Sequence, residues 1–224
     1  GNAFPFFIAA HDVAVRDLPD AFSEQGELSP EILQACDKGL DEAHHFISFT
    51  TSMPRYASHA HWEDGMAILL THVTDMRRLS RLCLMSMEHH LRQGDAIKAG
   101  ERLCDAAIVG RRVMHEPTIV SMLTGVSILS QVLDGAENHM AVLDAETREH
   151  LAAELGRVDL DELCRKAFMG ECFFGLSTFA DMQGDRGDFK TSISSLLIMK
   201  VCSVWVELEK RWYLRSMLPM LRES

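Results

Sequence analysis

Eleven histidines, and the carboxylates near some of them, are the residues of this 224-residue chain whose types and spacing come closest to chemistry. The densest stretch is His59-Ala60-His61-Trp62-Glu63-Asp64. Two imidazoles and two carboxylates in one short segment form a donor set that suits Zn²⁺, which makes His59, His61 and Glu63 weak metal candidates. The H-E-x-x-H spacing, which would put two imidazoles on one helical face beside a carboxylate base, is absent. His44-His45 and His89-His90 are adjacent pairs; neighbours on a helix point about 100° apart, so neither pair converges on an ion alone. A di-iron bundle needs Glu-x-x-His twice, and Glu42 to His45 supplies it without a second copy. Histidines in surface or capping roles are the expectation, with no metal and no cofactor.

Nucleophilic and phosphate chemistry lack their sequence signatures. There is no G-x-S-x-G elbow, no P-loop and no dinucleotide-binding glycine fingerprint. The six cysteines (36, 83, 104, 164, 172 and 202) lie far apart with no C-x-x-C pair, which fits buried thiols rather than a disulfide framework. No enzymatic activity is expected.

Charge narrows the partners. With 22 Lys and Arg against 33 Asp and Glu, the net charge is −11, which repels a phosphate backbone and disfavours nucleic acid. Arg77, Arg78 and Arg81 are the densest basic group and fall on one helix. Facing a groove, they would pair an acidic peptide or a carboxylate ligand; pairing with acids of a neighbouring helix is the plainer alternative. Together with Tyr56 and Trp62 of the preceding loop, they are the candidate partner-binding residues. Stripes of Met66, Met76 and Met87 and of Phe168, Phe173, Phe174 and Phe179 read as core, or else as the lining of an apolar-ligand pocket between helices.

The elements that must position these residues are helices. Phe6, Phe7, Ala10, Val13, Ala14 and Leu18 share a face up to Pro19. Ser29-Pro30-Glu31 has the grammar of a helix start: a hydroxyl cap, Pro at the first position and acid in the first turn. After a loop over Thr50 to Trp62, a long apolar period runs from Asp64 to Gln93. Gly94-Asp95 then ends one helix and caps the next, describing a tight helical hairpin. Pro117 sits in the first turn of a further helix, and Asp144 and Asp159 cap two more. A last helix runs from about Lys190 to Met217. The expectation is an all-α chain of seven or eight helices in antiparallel hairpins, either a tetratricopeptide-like superhelix or an irregular bundle, forming one domain over residues 1–224. No apolar run reaches the roughly 18 residues of a membrane span.

Gly94-Asp95-Ala96-Ile97-Lys98-Ala99 has the G-D-x-x-x-A form of tetratricopeptide-type hairpins, but the signature does not recur at about 34-residue spacing. Met53-Pro54-Arg55-Tyr56, Trp62-Glu63-Asp64, Met76-Arg77-Arg78-Leu79-Ser80-Arg81-Leu82, Gly94-Asp95 and His115-Glu116-Pro117-Thr118-Ile119 follow in an order that resembles a group of helical proteins of planctomycete bacteria. The resemblance covers about residues 29–140, leaving 141–224 as C-terminal helices packed on that core. It implies a bacterial protein, often with an N-terminal hydrophobic segment upstream. The compartment is then the cell envelope if such a signal or anchor was removed, and otherwise the cytoplasm. It brings no activity and no site residues.

The functional expectation is a non-catalytic scaffold or interaction protein with a protein or peptide partner. A carrier or sensor of an apolar small molecule is the alternative, and a metal-dependent enzyme using the His59–Asp64 loop a distant third.

Overall fold

The computed structural model of the chain describes residues 1–16, 18, 30–58 and 70–183. Chain direction reverses at Gln93-Gly94-Asp95, as those residues require. Gly94 adopts φ 81°, a left-handed conformation that a Cβ would oppose, and its amide bonds back to the end of the preceding helix. Asp95 then caps the next helix, its carboxylate accepting the Lys98 amide at 3.0 Å. The two helices so joined are α3 (Thr71–Gln93) and α4 (Ala96–Val113), numbered after α1 (Phe4–Val15) and α2 (Pro30–Phe49). They are followed by α5 (Ile119–His139), α6 (Ala145–Gly156) and α7 (Leu160–Gln183). The all-α expectation holds: the described residues contain helices and no strand, apart from one isolated bridge between Asn2 and Arg55.

Caps were legible and lengths less so. Asp144 accepts the Thr147 amide at 2.6 Å and Asp159 the Glu162 amide at 3.0 Å, so α6 and α7 start where acidic caps place them. Helix α3 starts at Thr71, after Leu70 leaves the helical region (φ −96°, ψ 49°). Pro117 precedes α5 by two residues instead of sitting in its first turn. The expected helix over 190–217 lies outside the described residues.

The chain divides into two compact units. In the first, which holds α1 to α6 apart from Ile119, α1 packs on α2 and α3, α2 also meets α4, and α4 packs on α3 and α6. From Arg102 to Val113 every residue of α4 is buried, so this is the central helix, enclosed on all sides. Small residues permit the closest approaches. A Cβ at Gly39 would lie 2.4 Å from the Val13 carbonyl oxygen, which brings α1 against the backbone of α2. One at Gly125 would lie 2.5 Å from the Gly110 carbonyl oxygen, where α5 crosses α4.

No uninterrupted apolar run reaches about 18 residues, yet α5 is apolar on average over that length. An 18-residue window of this 21-residue helix has a mean hydropathy of 1.4, long and apolar enough by composition alone to cross a membrane. Ser121, Thr124, Ser127, Ser130 and Gln131 interrupt the apolar run, which is why a search for uninterrupted apolar sequence passes over it. One face of α5 buries Met122, Gly125, Ile128, Leu129, Val132 and Ala136, as a core helix does.

The N-terminus is tied to the loop after α2. Asn2 receives the Ala57 amide at 3.0 Å and donates to the Ala57 carbonyl at 2.9 Å, while the Ala3 amide bonds to the Arg55 carbonyl at 2.8 Å. This holds Tyr56 inward, edge-on to Phe4 and Phe7. The second unit comprises Pro117–Ile119 and α7 among the described residues. Glu171 of α7 accepts the Ile119 amide at 2.9 Å, and Gly170 lets the Pro117 carbonyl approach so closely that a Cβ could not fit.

Candidate functional site

Because α4 is buried all round, its charged residues need partners inside the bundle. Arg102, fully buried, is the hub. It donates to Asp41 at 2.5 Å and to the Leu40 carbonyl at 3.1 Å, and stands 3.7 Å from Asp37 and 3.8 Å from Asp105. Asp37 in turn accepts Ser86 at 2.7 Å and lies 2.8 Å from His90 of α3. Lys98 reaches Asp41 at 2.7 Å and Glu101 at 3.0 Å. Burial opposes the Asp41 charge, yet Lys98 and Arg102 outweigh it and hold its pKa below the ordinary value. One guanidinium therefore ties α2 and α3 to α4 through three carboxylates.

A second group resembles a nucleophile relay. The His44 Nδ1 lies 2.9 and 3.0 Å from the two oxygens of Asp105, and its Nε2 faces the Ser48 hydroxyl at 3.4 Å. The bond to Asp105 raises the His44 pKa above its ordinary 6.5. The order carboxylate, imidazole, hydroxyl is that of a catalytic triad. The setting opposes the chemistry. Ser48 sits in the last turn of α2, whose final carbonyls accept the Thr51 and Ser52 hydroxyls, and the Arg112 guanidinium binds the Thr50 carbonyl just beyond it. The negative end of a helix repels an oxyanion and favours an imidazolium, so the group acts as an ion pair joining α2 to α4.

At the far end of α4, Glu116 is buried and accepts His72 at 2.5 Å, Ser121 at 2.8 Å and Ser58. Burial would raise its pKa, but the bonds from His72 and Ser58 prevail and lower it below 4.5. Arg112 donates to the Thr50 carbonyl at 2.7 Å, and burial pulls its pKa down to about 10. Arg111 pairs with buried Glu154 of α6 at 2.8 Å. These groups are fastened to one another.

Several histidines depart from the surface role expected of them. His11, His72 and His90 are buried and His44 half-buried, each beside a carboxylate from another helix or from the α4–α5 link. A single sequence shows a histidine but not the carboxylate that faces it across the bundle. Glu42 and His45 do not form a ligand pair, for Glu42 faces solvent and pairs with Arg16 at 3.3 Å. His59, His61, Glu63 and Trp62 lie outside the described residues; among those described, no group of three or more His, Cys, Asp or Glu could hold a metal ion. Cys36, Cys83 and Cys104 are buried thiols, and burial pushes the Cys104 pKa up to about 12.

Of the candidate partner residues, Trp62 lies outside the described residues and the others sit on α3 and the loop after α2. Tyr56 is buried, Arg77 is exposed on α3, and Arg78 and Arg81 are half-buried on the same helix. Met76 and Met87 are core residues.

An open depression of about 460 Å³ lies instead at the Gly94 end of the α3–α4 hairpin. Glu88, Leu91, Arg92 and Gly94 of α3 and its turn line it, with Ala96 of α4 and with His139 and Val142 at the end of α5. Ile97 and Met140, each next in sequence to a lining residue, are 68% and 45% exposed, and Val142 itself is 55% exposed. No protein family, curated protein or solved structure matches this chain. The geometry of its own residues carries the functional argument.

Proposed function

We propose that this chain is a helical interaction protein that acts by displaying a rigid surface to a protein partner, without catalysis. The observation that carries the reading is a contrast between inside and outside. Side chains able to do chemistry, such as Arg102, Asp105, His44, His72 and Glu116, bond to one another across the bundle. Large apolar side chains that a packed domain would ordinarily bury stand exposed: Val142, which lines a depression, and Ile97 and Met140, each next in sequence to a residue that lines it. Buried ion pairs contribute little net stability, but they oppose rearrangement once formed, which suits a surface that must keep its shape. The alternative of an apolar-ligand carrier draws no support from Met76 and Met87, which fill the core between helices.

The test is site-specific photo-crosslinking in cells that produce the full chain natively. A benzophenone side chain at Ile97 is expected to give discrete adducts, and one at exposed Glu149 of α6 is not. Identical patterns from both positions, or none from either, would sink the interaction reading.

A further inference from the structure

We propose that the depression at the Gly94 end of the α3–α4 hairpin is a docking groove for a basic amphipathic helix of a partner protein. This rests on the interaction reading above and names the partner chemistry. Leu91, Ala96 and Val142 are the apolar part of its lining. Ile97 and Met140, each next in sequence to a lining residue, are exposed as well. A small molecule seated in the depression would leave those two side chains in water. An elongated partner laying down anchors at i, i+3, i+4 and i+7 would cover them, as helix-in-groove recognition does.

Charge decides what flanks the anchors. The two segments that build the groove, residues 88–97 and 133–144, carry five carboxylates (Glu88, Asp95, Asp134, Glu137 and Asp144) against one arginine, Arg92. Arg92 is already paired with Glu88 at 3.2 Å. All five carboxylates are on exposed residues, so the field they set faces solvent. The surrounding protein, at −11, has the same sign. A partner with Lys and Arg beside its apolar anchors is attracted, and an acidic one is repelled. A second copy of this chain docking through the same patch would oppose acid to acid, so self-association there is disfavoured.

The experiment uses the full chain and two fluorescein-labelled 14-residue helical peptides with the same leucine pattern, one filled with Lys and the other with Glu. Fluorescence anisotropy is expected to show saturable binding of the Leu/Lys peptide, weakening as salt rises, and little binding of the Leu/Glu peptide. Val142→Asp is expected to weaken Leu/Lys binding about tenfold or more by placing a charge in the apolar lining. Leu123→Asp, an exposed apolar position elsewhere on α5, is expected to leave it unchanged. Equal affinity for both peptides, no binding, or equal effects of the two variants would each overturn the proposal. Ile97 adducts that persist while the Leu/Lys peptide fails to bind would discard the basic helix and keep the interaction reading. Loss of the adducts as well would discard both.

Discussion

Arg102 is the residue on which most of the interior depends. Removing its guanidinium takes the shared partner from Asp37, Asp41 and Asp105, leaving each to His90, Lys98 and His44 respectively, and breaking a buried pair costs about 3–5 kcal/mol. Arg102→Ala is therefore expected to lower unfolding free energy by that amount in urea titration. A change under 1 kcal/mol would show that water already screens the cluster. His44 gives the interior a pH dependence of definite sign. Asp105 raises its pKa above 6.5, so the folded state holds the proton more tightly than the unfolded chain. The stability this contributes is fully present below the unfolded value and is lost as pH rises through the folded pKa. Replacing the imidazole with an amide in His44→Asn should accordingly cost most near about pH 6 and least near about pH 9. Thermal melts of the two proteins across that range read the difference, and a gap that widens with pH would contradict the His44–Asp105 ion pair.

The elements meet where side chains are small, so a methyl group is the natural probe at this scale. Gly39→Ala pushes a Cβ into the Val13 carbonyl, backbone against backbone, where no rotamer change can relieve it. Overpacking of this kind costs about 1–3 kcal/mol and should displace α1 from α2. At Gly94 nothing lies within 4 Å of an added Cβ, and the cost comes from the left-handed backbone, about 1 kcal/mol. Chemical denaturation should thus rank Gly39→Ala as more damaging than Gly94→Ala, with hydrogen exchange in α1 accelerated only by the former. The reverse order would mean that α1 packs more loosely on α2 than the carbonyl contact requires.

On the scale of the molecule, the first unit holds its own core and all the ion pairs centred on α4. A fragment of residues 1–158 is expected to fold by itself, with a single cooperative melt in far-UV circular dichroism; a broad, non-cooperative melt would show that it needs the rest of the chain. The helical class, the Gly94 reversal and the Asp95, Asp144 and Asp159 caps follow from the sequence alone. Each is a local matter, a side chain bonding to an amide three residues on or a glycine taking a conformation others avoid. The candidate sites were far less legible. The arginines of α3 drew notice because they are adjacent, yet the arginine that organises the interior is Arg102, isolated in sequence and surrounded by acids about 60 residues earlier. His44, His72 and His90 read as ordinary polar residues until the fold sets Asp105, Glu116 and Asp37 against them. The groove joins residues about 50 positions apart, Glu88 to Val142, through the packing of α3, α4 and the end of α5. Local hydrogen bonding and periodicity determine helices, whereas burial and opposing charge are properties of chain segments brought together, and only the tertiary structure decides which they are.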